Sequence, residues 1–151
     1  MSRRLKIALG LVGLAVVGFV VIQFIPVGSI RPRFKFPGNP AVNPQFQWDS
    51  LQTEQLARLA CYDCHSNETK YPWYANIAPV SWLVYHDINE GRDNLNFSTW
   101  AKSDIEAHHL IEQIEKGEMP KAVYLPMHPE ARLTDEQKAQ LIAGIRATFA
   151  G

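Results

Sequence analysis

The chain has 151 residues, enough for one globular domain with accessory segments. Its only cysteines, Cys61 and Cys64, are three positions apart, which excludes a disulfide framework stapling distant parts of the chain. The formal charge of zero hides a segregation: from Asp49 onward nine basic residues face all fifteen acidic ones, a charge of −6, which argues against a nucleic-acid partner.

Residues 1–25 read as a membrane segment. Arg3, Arg4 and Lys6 precede an apolar run from Ile7 to Ile25 broken only by Gln23. At about 1.5 Å per residue the run spans roughly the hydrocarbon core of a bilayer. The residues after it, Gln-Phe-Ile-Pro-Val-Gly-Ser-Ile, hold no A-x-A-like cleavage pattern. A retained single-span anchor is therefore expected ahead of a cleaved signal. Basic residues flank the run on both sides, with Arg31, Arg33 and Lys35 following it, so charge alone nearly ties on orientation.

Residues 26–48 read as a Pro-rich linker. Pro26, Pro32, Pro37, Pro40 and Pro44 make up half of the ten prolines. An extended spacer of this kind reaches roughly 60 Å at about 3.1 Å per residue. The alternative is an arm packed on the following domain through Phe34, Phe36, Phe46 and Trp48.

Residues 49–151 carry helical periodicity and no strand-like alternation. Asp49 or Ser50 caps a first helix through Leu51, Leu56 and Leu59 into the cysteine pair. Trp82, Tyr85 and Ile88 set a second helix from Val80 to about Arg92. Ser103-x-x-Glu106 is a capping box for a third, with Leu110, Ile111 and Ile114 inward and Gly117 as its stop. Thr134-x-x-Gln137 opens a fourth, with Leu141, Ile142, Ile145 and Phe149 as its buried stripe. The expected fold is an all-α domain whose small core gains apolar surface by packing around a prosthetic group.

Cys61-Tyr62-Asp63-Cys64-His65 is the C-x-x-C-H pattern that attaches haem c. Two thiols add across the two vinyl groups of one porphyrin, and the adjacent histidine then binds the iron. On a helix, positions i, i+3 and i+4 face one way. A thioredoxin-like site lacks its βαβ setting, and a zinc site lacks a second ligand pair. The expected cofactor is one covalent haem c, held by Cys61, Cys64 and His65. Haem attachment follows export, so the domain belongs on the exported side and the N-terminus in the cytoplasm.

A second axial ligand is expected of an electron-transfer haem. Met119 ranks first, in Gly117-Glu118-Met119-Pro120, where the following proline stiffens the loop. His128 and then Met127 are the alternatives. His86, His108 and His109 sit on helices and read as surface or packing residues. Trp73, Trp82 and Trp100 read either as lining of the haem pocket or as ordinary core. Arg92 reads as a propionate partner or, more simply, as a surface ion pair. Asn67-Glu68-Thr69 and Asn96-Phe97-Ser98 match the glycosylation pattern, a short motif that carries little weight by itself.

The order helix, C-x-x-C-H, helices, Met-Pro, helix resembles the class I cytochrome c plan. Several segments resemble more closely the bacterial haem-binding domain family of small c-type cytochrome-like proteins. They are Cys61-Tyr-Asp-Cys-His-Ser-Asn-Glu-Thr69, Pro72-Trp-Tyr74, Ile77-Ala-Pro-Val-Ser-Trp82, Glu90-Gly-Arg92, Leu95-Asn-Phe-Ser98, Gly117-Glu-Met-Pro120 and His128-Pro-Glu-Ala131. Lys121-Ala122-Val123-Tyr124 departs from the prolines that often follow the Met-Pro pair in that family. The resemblance implies haem binding and supplies neither partner nor reaction. The expected function is a membrane-tethered electron carrier on the periplasmic or exterior side, meeting redox partners with a basic docking face. The alternatives are a sensor or peroxidase-like enzyme with an open sixth position, or a haem-bearing module of a larger complex.

Overall fold

A computed structural model describes residues 2–44, 46–102 and 105–149. Among them the chain forms seven α-helices and no strand: α1 Arg3–Ile22, α2 Val27–Ile30, α3 Leu51–Ala60, α4 Tyr62–His65, α5 Val80–Asn94, α6 Ala107–Glu115 and α7 Asp135–Phe149. The all-α class is as expected. The chain divides into two compact units, one of residues 1–37 with 71–89, the other of residues 38–70 with 90–151. Helix α5 begins in the first and ends in the second.

The first unit is built on α1. The Ser2 hydroxyl accepts the Leu5 N–H at 3.3 Å and opens the helix. None of its residues is buried, and it is long and apolar enough to cross a membrane. Gln23 ends it, and its side-chain amide pairs with the backbone of Ala78 in both directions. Oε1 accepts the Ala78 N–H at 2.9 Å and Nε2 donates to the Ala78 carbonyl at 3.0 Å. The chain then folds back against the first half of α5. Asn89 Nδ2 donates to the carbonyls of Arg33 and Lys35 at 2.9 Å each. Phe34 lies against His86, and Phe36 against Tyr71 and Tyr85, with centroids 5.0–5.3 Å apart.

The second unit holds the main core. Leu56 and Ala57 of α3, Ile111 and Ile114 of α6, and Leu141 and Ile145 of α7 meet Tyr62, Phe97 and Leu133 in one buried cluster. Ser50 caps α3 by accepting the Thr53 N–H at 3.2 Å. Gly144 lets α7 close on Thr53, because a Cβ there would clash with that side chain. The capping box of α7 forms in full: Thr134 Oγ1 accepts the Gln137 N–H at 3.2 Å, and Gln137 Oε1 accepts the Thr134 N–H at 2.9 Å. Ser103 of the other proposed box lies outside the described residues. Helix α6 begins at Ala107, after a Glu106 whose side chain makes no cap bond.

Residues 38–44 and 46–48 belong to this second unit. Asn39 pairs with Thr69 through two hydrogen bonds, and Asn43 N–H donates to the Ser98 carbonyl at 2.7 Å. Phe46 and Trp48 insert between Phe97 and Phe149, with centroids 5.0–6.2 Å apart. Each such aromatic pair contributes about 0.5–1.5 kcal/mol beyond its burial. Prolines favour extended backbone, and Phe46 and Trp48 fasten this stretch to the core.

Candidate functional site

Helix α3 does not run through the cysteine pair. Cys61 leaves helical geometry at φ −128°, ψ −35°, and α4 starts a new turn at Tyr62. One-turn spacing persists across the junction, because the His65 N–H still donates to the Cys61 carbonyl at 2.9 Å. The two residues between the cysteines serve opposite sides. Tyr62 is buried, stacked on Phe97 at 5.4 Å, and its hydroxyl accepts the Trp48 indole N–H at 3.0 Å. Asp63 faces outward, and its two carboxylate oxygens accept the Lys70 N–H at 2.9 Å and the Tyr124 hydroxyl at 2.7 Å.

His65 is oriented by α5. Its Nδ1 lies 2.9 Å from the Gly91 carbonyl and 3.2 Å from that of Leu95. Carbonyl oxygens only accept, so Nδ1 carries the proton and the lone pair sits on Nε2. Burial lowers the His65 pKa; the two carbonyls oppose that, and the charge of Lys121 adds to it. A neutral imidazole with Nε2 available is the form that binds a metal. The cysteines are not joined by a disulfide, and burial, with Cys64 nearby, pushes the Cys61 thiol up to about 12.

Gly91 has a second role. A Cβ built on it would lie 2.5 Å from the Cys64 carbonyl oxygen, so only glycine lets α5 approach the motif this closely. Beyond the motif, the Phe97 N–H donates to the His65 carbonyl at 2.9 Å. Asn67, Asn96 and Ser98 are buried in one hydrogen-bonded network, so both glycosylation-like patterns are structural. Arg92 is tied to the chain beside the motif. Its guanidinium donates to the carbonyls of Ser66 and Gly38, to Asn39 Oδ1 and to Thr69 Oγ1 at 2.7–3.0 Å, clasping the chain around the motif.

The loop bearing the ligand candidates is tied to the motif. Gly117, at φ +72°, ends α6, and the N–H groups of Glu118 and Met119 both donate to the Gln113 carbonyl. Met119 is half-buried, whereas Met127 is 56% exposed. Lys121 pairs with Glu90 at 3.4 Å. Tyr124 stacks face to face on His128 at 3.8 Å, and His128 Nδ1 meets Glu130 at 3.2 Å. His108 and His109 are exposed, and His86 packs on Phe34 beside Asp87. The tryptophans divide. Trp73 is exposed and Trp100 packs at the edge of the core. Trp82 lines a cavity of about 480 Å³ in the first unit with Phe34, Phe36 and Tyr85.

Among models of protein families, the haem-binding domain matches residues 17–147. The chain belongs to the haem-binding domain family. No curated protein and no solved structure matches it. The residues around the motif fit the group on their own geometry. The site offers two cysteines one turn apart, not joined in a disulfide, and a neutral imidazole whose Nδ1 is anchored by backbone. It also offers a glycine where helix and motif touch. Gly91, Leu95, Asp63 and Tyr124 stood in the sequence only inside the segments compared with the family, with no role of their own at the site. Gly91 also left a local signal, as a glycine inside a helical pattern flanked by Glu90 and Arg92.

Proposed function

We propose that this protein is a membrane-anchored c-type cytochrome that carries one covalent haem and transfers electrons on the exported side of the cytoplasmic membrane. The observation that carries the reading is the pair of carbonyls on His65 Nδ1, which leaves Nε2 for iron beside two cysteines at C-x-x-C-H spacing. Cys61 and Cys64 would hold the porphyrin by thioethers, and His65 would be one axial ligand. The haem supplies a one-electron ferrous–ferric couple when bound.

Met119 is the proposed second ligand. It is half-buried on a loop anchored to the motif by the Tyr124–Asp63 bond, and the loop's Lys121 is near enough to influence His65. Met127 is exposed to solvent, and His128 is engaged by Tyr124 and Glu130. The helix Arg3–Ile22 would be the anchor, with the N-terminus cytoplasmic because haem is attached after export. The acidic balance from Asp49 onward favours redox partners with a basic face.

Absorption spectra of both redox states, with and without carbon monoxide, test this reading. A six-coordinate low-spin spectrum indifferent to carbon monoxide is expected. Ready carbon monoxide binding by the unaltered protein would instead favour a sensor or enzyme with an open sixth position.

A further inference from the structure

Large apolar side chains exposed to solvent are concentrated beside the membrane helix. Twelve are exposed outside α1 among the described residues, and seven of these lie in residues 23–37 and 71–89, which complete the first unit. Three are extreme: Phe24 is 80% exposed, Trp73 73% and Ile30 72%. Folding leaves these groups uncovered at a cost of about 25 cal/mol for each Å² of apolar surface.

Their height relative to α1 follows from the Gln23–Ala78 pairing. At about 1.5 Å per residue, the apolar run that begins at Ile7 reaches the far edge of a hydrocarbon core of about 30 Å near its end at Ile25, so Gln23 stands just inside that edge. The two hydrogen bonds hold Ala78 at the same level. Val80 is two residues from Ala78, and Trp73 and Leu83 are five, within about 18 Å even if fully extended. Phe24 and Ile25 follow Gln23 directly. The charges match this position. Residues 71–83 contain no Asp, Glu, Lys or Arg, and Arg31, Arg33 and Lys35, which follow the span, are exposed. Tryptophan at the edge of a span and basic residues just beyond it are the composition of a bilayer interface with anionic headgroups.

We infer that the first unit has a second, interfacial membrane contact, in which Phe24, Ile25, Ile30, Trp73, Val80 and Leu83 enter the outer leaflet beside α1 while Arg31, Arg33 and Lys35 meet lipid phosphates. The inference rests on the membrane-anchored reading above and adds that the loop and helix start at 73–83 touch lipid. The first unit is then a foot lying on the bilayer, with the span as only part of its hold.

Full-length, haem-loaded protein in vesicles of phosphatidylethanolamine and phosphatidylglycerol tests this. One lipid carries a photoactivatable diazirine high on its acyl chain, and adducts are mapped by mass spectrometry. Adducts are expected in residues 73–83 and 24–30 as well as in α1. The variant Trp73→Ser/Val80→Ser should reduce labelling of 73–83 several-fold, with labelling of α1 and the haem spectrum unchanged. Labelled α1 with 73–83 no more labelled than the exposed face of α7 would overturn the interfacial contact and leave the anchor standing, pointing to a protein as the cover. Absence of label from α1 as well would overturn both.

Discussion

The carbonyl of Gly91 accepts the Nδ1–H of His65 at 2.9 Å, while the Gly91 Cα faces Cys64 so closely that a Cβ would stand 2.5 Å from its carbonyl oxygen. One residue of α5 thus both aims the imidazole and permits the approach that makes aiming possible. In an exposed helix interior, glycine to alanine stabilises by about 1 kcal/mol. Here the obstacle is backbone, which cannot swing away, so Gly91→Ala should destabilise by about 1–3 kcal/mol. It should also alter the axial histidine bond. Thermal melting and the redox potential check this; a stabilised protein with an unchanged potential would contradict the role given to Gly91.

The sixth ligand is tested by three substitutions. Met119→Ala should remove the weak red-end charge-transfer band of a ferric sulfur-ligated haem, lower the potential and admit carbon monoxide. Met127→Leu should leave the band in place, because it exchanges one exposed apolar side chain for another. His128→Ala should disturb the stacking on Tyr124 and leave the iron closed. If His128→Ala opens the iron and Met119→Ala does not, the site is bis-histidine.

Acid should act through His65. Burial, the largest cause, lowers its pKa in the folded chain, while an unfolded chain takes up the proton near the ordinary value of about 6.5. The unfolded state therefore binds more protons below that value, and stability falls as pH drops from about 6.5 toward the lower folded pKa. A bound iron on Nε2 extends the trend, since proton and metal compete for the same lone pair. Denaturation midpoints measured from pH 7.5 to pH 5 should decline. A midpoint rising across this range would contradict a neutral, buried imidazole.

Docking should depend on salt. A formal charge of −6 from Asp49 onward favours encounter with a basic partner, and such steering is screened within about 10 Å at 0.1 M salt. The bimolecular electron-transfer rate to the physiological partner should fall as ionic strength rises. A rate flat across salt would indicate apolar docking.

The helices were legible where periodicity and caps coincide. Ser50 and the Thr134–Gln137 box open α3 and α7 as their residue types require, and Gly117 ends α6 at positive φ. The motif was legible as a pattern because C-x-x-C-H is the spacing that haem c attachment requires. Its surroundings were not, because they depend on contacts between residues distant in sequence. Arg92 reaches Gly38 and Thr69, and Tyr124 reaches Asp63; no local pattern announces either. In the proline-rich stretch, proline sets backbone direction, whereas Phe46 and Trp48 make long-range contacts with Phe149 and Phe97. The break at Cys61 was hidden because the i, i+3, i+4 spacing is the same for a continuous helix and for a fresh turn.

The central claim is that Cys61 and Cys64 bind one haem covalently. The most direct test is the mass of the denatured polypeptide after expression with export and haem attachment intact. The account predicts a chain heavier by one haem, with colour and haem-dependent peroxidase staining that persist through denaturing electrophoresis, and loss of both in Cys61→Ser/Cys64→Ser. A polypeptide of unmodified mass, with its haem extracted completely into acidified organic solvent, would contradict it.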